Sequence, residues 1–267
     1  GGLVVLTYDK RREGCSVLTR DDDRLAVDAL RALDVVARQP GVDRERLGLL
    51  GFSEGGWVVP LAAERSPYRV PLAGEPEPAR VAFTILVSAP VVSPVDQTAW
   101  SVDRRTASAP DVVRSGVATL LGMGRPVIGD LGTDVRPALA ATNQPVYAVW
   151  GGADSSVPVR VAAERLRSAT GLRSRMEIVG GVGHRVPLAS GWAERASDWV
   201  RRGFPEDPVV RGAQPDTLVG LPILPRRTLL GDPRLHLALA ALAALVAAGC
   251  PLRRQGSAPK VRTSRRG

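Results

Sequence analysis

Short apolar, β-branched runs alternate with stretches of helical periodicity, and that alternation leaves few folds open to this chain. "LVVLTYD" (3–9) reads as a strand buried on both faces. "DDDRLAVDALRALDVVARQ" (21–39) has Leu25, Ala26, Ala29, Leu30, Leu33 and Val36 at helical spacing. "RLGLLGF" (46–52) predicts a second strand and "EGGWVVPLAAER" (54–65) the helix after it. Further strands are predicted at 80–89, 145–152 and 175–181, with helices at 159–169 and 189–202. Strands and helices in this order imply an α/β fold, a mostly parallel sheet with helices on both faces.

Two regions interrupt the pattern. Residues 90–143 are rich in Pro, Ser and Asp, with short amphipathic pieces. An insertion between strands of such a sheet usually lies over their carboxyl ends, where ligands bind. After residue 203 the chain turns proline-rich and aperiodic, so 204–234 reads as a linker closing a domain at 1–203. "LHLALAALAALVAAGCPL" (235–252) then runs for eighteen residues without a charge. That length meets the lower limit for a transmembrane span, while its alanine content suits a buried or amphipathic terminal helix. Both readings stay open. A span would place the basic tail, 253–267, in the cytoplasm and the globular part outside.

Composition excludes several function classes. The net charge is +9, but "RRQGSAPKVRTSRRG" alone carries six positive charges, leaving about +3 elsewhere. A basic tail therefore explains the charge, and no nucleic-acid partner is expected. The two cysteines, Cys15 and Cys250, sit near opposite ends and suggest neither a disulfide framework nor a thiolate metal site. With two histidines in the chain, a histidine-rich metal centre is not expected either. Asp21, Asp22 and Asp23 suit a helix N-cap and first turn better than a metal, because three consecutive helical carboxylates cannot all face one ion. No motif implies a cofactor.

The chemistry concentrates in "GLLGFSEGGW" (48–57), where Ser53 is boxed by glycines between a predicted strand and a predicted helix. Gly-x-Ser-x-Gly alone is weak evidence. Between a buried strand and a helix it fits a sharp turn that lifts the serine oxygen above the sheet. The flanking glycines let strand and helix backbones approach where a Cβ would intrude. A serine hydroxyl needs an imidazole to take its proton, and that imidazole needs a carboxylate to fix its tautomer. His184, in "GGVGHRV" after the last predicted strand, is better placed than His236, which lies inside the apolar run. Asp154, in "VWGGADSSVPV", leaves another strand before a helix, where capping is the competing role.

Together these stretches resemble the α/β-hydrolase superfamily, near its dienelactone-hydrolase, prolyl-oligopeptidase and serine-aminopeptidase-like branch. "LTYDKR" resembles the branch's strand and turn, "GFSEGGW" its nucleophile elbow, "GGADSSVP" its acid loop and "GVGH" its histidine loop. The resemblance covers about residues 1–203. It implies a serine hydrolase with Ser53 as nucleophile, His184 as general base and acid, Asp154 as its partner and the Glu54 N–H as an oxyanion donor. The implied substrate is a small-molecule ester, thioester or amide.

Members of that branch carry further strands, and a loop supplying a second oxyanion N–H, ahead of the segment matching "LVVLTYDKR". The expectation is an amino-terminally truncated sheet with an exposed edge. Two alternatives to an active hydrolase follow: a weak or inactive fragment of the same fold, or a membrane-anchored binding protein.

Overall fold

In the computed structural model, residues 3–11, 21–71, 73–74, 76–110, 134–207 and 210–215 are described, and regular structure begins with a helix. Helix α1 spans Asp22–Ala37. Its N-cap is Asp21, whose carboxylate accepts the Arg24 N–H at 3.0 Å. Asp22 and Asp23 lie in the first turn, at the positive end of the helix dipole. Leu25, Ala26, Ala29, Leu30 and Leu33 form its buried stripe.

The order continues as β1 (Gly48–Phe52), α2 (Gly55–Arg65), β2 (Phe83–Val87), α3 (Pro94–Arg105) and α4 (Arg136–Ala141). Then come β3 (Val146–Gly151), α5 (Val159–Thr170), β4 (Ser174–Val179), α6 (Trp192–Arg201) and β5 (Val210–Gly212). The sheet is wholly parallel, with its strands side by side in chain order. Helices α3 and α4 belong to the insertion at 90–143, of which 111–133 lie outside the described residues.

Alternation along each strand divides the core in two. Leu86, Val146, Ala148, Trp150, Met176 and Ile178 point to one face, among side chains of α1, α2, α4 and α5. Phe83, Ile85, Val87, Tyr147 and Val149 point to the other, where α6 supplies Trp192, Ala196, Trp199 and Val200. A strand covered on both faces needs apolar residues at successive positions, which is why β2 and β3 are buried throughout. Glu177 of β4 is the charged exception. It accepts the Tyr147 hydroxyl at 2.7 Å and pairs with Arg195 of α6. Burial pushes its carboxyl up, but the hydrogen bonds from Arg195 and Tyr147 outweigh that and hold it below the usual range.

Two expectations need correction. Residues 3–11 form no strand, and Leu3, Val4, Val5, Leu6 and Tyr8 are exposed rather than buried on both faces. A strand exists only through a neighbour, and among the described residues none pairs with this segment. Ion pairs hold it instead: Lys10 to Glu54 at 2.5 Å, and Arg11 to both carboxylate oxygens of Asp28. Conversely, the stretch read as an aperiodic linker contains β5, whose Val210, Arg211 and Gly212 continue the sheet beside β4.

The described residues all belong to one compact unit, Gly1–Pro225. The apolar run 235–252 and the basic tail 253–267 lie outside the described residues. Among the described residues, no helix is long and apolar enough to cross a membrane.

Candidate active site

Three loops leave the carboxyl ends of β1, β3 and β4, and each presents one of the polar residues singled out in the sequence. The first is the turn between β1 and α2. Ser53 sits there at φ +50°, a left-handed conformation costly for any residue with a Cβ. The turn is held because the Ser53 N–H donates to the Val87 carbonyl at 2.9 Å and the Ser53 carbonyl accepts from Gly56 N–H at 2.8 Å. Gly51 and Gly56 make the tight crossing feasible: a Cβ on Gly51 would strike the Gly55 backbone, and one on Gly56 would strike Ala89. The glycine reading therefore holds at Gly51 but not at Gly55, the other glycine flanking Ser53, where a Cβ would meet nothing within 4 Å; the close approach on the helix side falls on Gly56.

The second loop follows β3. Asp154 is buried at 2% exposure, and its carboxylate has two tasks. One oxygen accepts the backbone N–H groups of Ser156 and Val157 at 2.7 and 3.0 Å. The other lies 2.8 Å from His184 Nδ1. The helix-capping role does not hold: α5 begins at Val159 after Pro158 with no side-chain cap, so one oxygen of Asp154 ties N–H groups of its own loop while the other meets His184.

The third loop follows β4. Strand β4 is three positions from β1, roughly 14 Å at the usual interstrand spacing. The loop leans back across that gap. Gly152 N–H donates to the Val179 carbonyl at 2.7 Å and Ala153 N–H to the Val182 carbonyl at 2.9 Å. The Ser88 hydroxyl donates to the His184 backbone carbonyl at 2.6 Å. His184 Nε2 ends 2.8 Å from Ser53 Oγ, with the Phe52 ring tilted against the imidazole at 5.4 Å. Asp154, His184 and Ser53 are thereby joined in one hydrogen-bonded line. His236 lies outside the described residues.

This arrangement can move a proton from a hydroxyl to an imidazole whose tautomer a carboxylate fixes. Glu54 begins the turn into α2, so its backbone N–H lies at the helix's positive end, beside Ser53. Among the described residues, no group of three or more His, Cys, Asp or Glu is arranged to hold a metal ion.

Some contributors were not singled out in the sequence. Gly151 ends β3 where a Cβ would overlap the carbonyls of Val182 and Gly183 in the histidine loop. Its signal was the glycine pair 151–152, which announces close backbone approach without naming the partner. Gln97 of α3 donates its side-chain amide to the Ser156 carbonyl at 3.0 Å, tying the insertion to the acid loop. Ser88 carried no local signal at all.

Gly151→Ala tests the packing of the histidine loop. The obstructing atoms are backbone, so the loop must shift, and a displacement of about 1 Å at a reacting group costs on the order of 10²-fold in turnover. The expected outcome is a sheet that still folds, by circular dichroism, with kcat for the ester hydrolysis proposed below reduced to that extent.

No family model matches the chain, and no curated protein matches it. Solved structures do. An esterase from Pyrococcus furiosus matches at 16% identity and a TM-score of 0.44, over 66% of this chain and 61% of that one. Acetyl xylan esterase 1 from Thermoanaerobacterium matches at 18% and 0.45, over 66% of this chain and 51% of that one. The enol-lactonase from Burkholderia xenovorans matches at 18% and 0.42, over 68% and 74%. The chain spans 61%, 58% and 52% of the first three structures it matches, less than two thirds of each. At such scores the likeness is one of general architecture, and the chemistry rests on the distances above.

Proposed function

We propose that this chain belongs to the α/β-hydrolase superfamily and is a serine hydrolase that cleaves a small ester, thioester or amide through an acyl-enzyme. The observation that carries the reading is the unbroken line from Asp154 through His184 to Ser53, with both links at 2.8 Å. Its parts come from three loops separated by up to 131 positions in sequence. Such a line costs conformational entropy and a strained Ser53 backbone, and folding alone does not require it.

Each residue then has a task. His184 Nε2 takes the Ser53 proton as Oγ bonds to the carbonyl carbon of the substrate. The carbonyl oxygen becomes an oxyanion, which accepts the Glu54 N–H at the head of α2; one such donor is worth about 10²–10³ in kcat. Asp154 stabilises the imidazolium and keeps Nδ1 protonated. Collapse expels the alcohol, thiol or amine, which leaves with the proton held on Nε2. Water then attacks the acyl-Ser53 ester, giving its proton to His184, and the acid departs as Ser53 regains its hydrogen. No cofactor enters this cycle.

A second reading, a protein of the same fold with little or no turnover, is favoured by one observation. Leu50 and Phe52 of β1 are 55% and 43% exposed, so water reaches the strand that carries the elbow. Electrostatic stabilisation of an oxyanion weakens where water enters.

Hydrolysis of p-nitrophenyl acetate by the purified chain separates the two. The proposal expects saturable turnover well above the buffer rate. Release no faster than in buffer would favour the second reading.

A further inference from the structure

We infer that Ser88 is a positioning residue for the reaction, holding His184 over Ser53 through its backbone carbonyl. The inference rests on the reading of Ser53, His184 and Asp154 as catalytic. Three observations carry it.

The first is the bond itself. Ser88 is fully buried, and its hydroxyl donates to the His184 carbonyl at 2.6 Å across 96 positions of sequence. The second is location. Ser88 follows the last residue of β2, whose neighbour on one side is β1 with the elbow and on the other β3 with the acid loop. The histidine loop rises from β4 and has to reach β1. Its root is fastened over β3 by Gly152 and Ala153, and the Ser88 hydroxyl grips the carbonyl of His184 itself, nearer the elbow. That grip acts on the base itself, between the root of the loop and Val186, which packs in the core.

The third is strain. Ser88 has φ +51°, the same left-handed region as Ser53, and it is not glycine. Its own N–H donates to the Val149 carbonyl at 2.8 Å, which pins the backbone there. Three residues on, Val91 is also left-handed, at φ +45°, though β-branched and fully buried. Glycine would occupy position 88 with less strain. A hydroxyl kept at a position that favours glycine needs a reason, and the bond to His184 supplies one.

The strain makes the test decisive, because in a glycine variant turnover should fall without any loss of stability. Ser88→Gly removes the hydroxyl and relieves the backbone; Ser88→Ala removes the hydroxyl and keeps the strained φ. Both should lower kcat by about tenfold to a hundredfold with KM within about twofold, as expected for a base displaced by a fraction of an ångström to one ångström. The Tm of Ser88→Gly should equal or exceed that of the parent, while that of Ser88→Ala falls. A second readout does not depend on turnover. With only two histidines in the chain, ¹⁵N-histidine labelling yields two ring systems, and the His184 ring signals should shift or broaden in both variants.

Unchanged kcat together with unchanged His184 ring signals in Ser88→Gly would overturn the inference. So would a kcat that follows Tm across the two variants, which marks a purely structural role. Absence of turnover in the parent would instead count against the catalytic reading, and the ring signals would still decide whether Ser88 holds His184.

Discussion

Ser53→Ala should cut ester turnover by roughly 10⁵–10⁶-fold while leaving the fold intact. Removing Oγ takes away the atom that forms the acyl ester, and losses of roughly 10⁵–10⁶ in kcat are typical when a nucleophile of this kind is deleted. The residual rate should remain above buffer, since the Glu54 N–H and the binding surface survive the change. Stability should hold or rise. Ser53 is strained at φ +50°, and its hydroxyl bonds to the His184 ring and not to the elbow, so alanine sacrifices little that holds the turn. The elbow's backbone bonds to Val87 and Gly56 do not involve the side chain. Steady-state kinetics on p-nitrophenyl acetate and a thermal melt read both halves; a variant that still turns over at the parent rate would remove Ser53 from the mechanism.

Asp154→Asn should come next in size, at about 10⁴ in kcat, because with its oxygen on the loop N–H groups the amide NH2 faces Nδ1 and donates to it, which holds the imidazole in the wrong tautomer. The substitution separates the two tasks of this side chain. The asparagine oxygen can still accept the N–H groups of Ser156 and Val157, so the acid loop should keep its internal bonds. Asp154→Ala removes both tasks and should lose a further ~1–3 kcal/mol of stability through the two missing loop hydrogen bonds. Kinetics and melts on the two variants check the split. Equal stability loss in both would mean that the loop depends on the charge and not on the accepted bonds.

Much of this architecture could be read from the chain because its determinants are local. Asp21 to Asp23 announced the start of α1 through charge and capping, and the structure places Asp21 at the N-cap. Of the two glycines flanking Ser53, Gly51 meets the close backbone the pattern announced, whereas Gly55 has open space and Gly56 takes the contact with Ala89 instead. His184 and Asp154 were found because the chemistry of a serine hydroxyl demands a base and a carboxylate, and few residues were in position to supply them.

What stayed hidden was non-local. "LVVLTYD" has the composition of a buried strand, but a strand is a relation between two segments, and these residues are exposed and unpaired in any described ladder. The reverse error hid β5. Val210, Arg211 and Gly212 are too few to show periodicity and sit in proline-rich surroundings, yet β4 offers them an edge. Glu177 would pass as a solvent-facing residue of β4, whereas its burial depends on Arg195 and Tyr147 meeting it from other elements. Ser88 is the extreme case, one serine among many, distinguished only by a left-handed φ and a partner far along the chain.

The central claim is that three distant loops converge so that Ser53 becomes reactive. Incubation with a fluorophosphonate, followed by digestion and mass spectrometry of the peptides, tests it most directly. The account predicts a single covalent adduct on the peptide containing Ser53, formed far faster in the parent than in an Asp154→Asn variant. An unlabelled chain, or an adduct on another residue that persists when Ser53 is alanine, would contradict it.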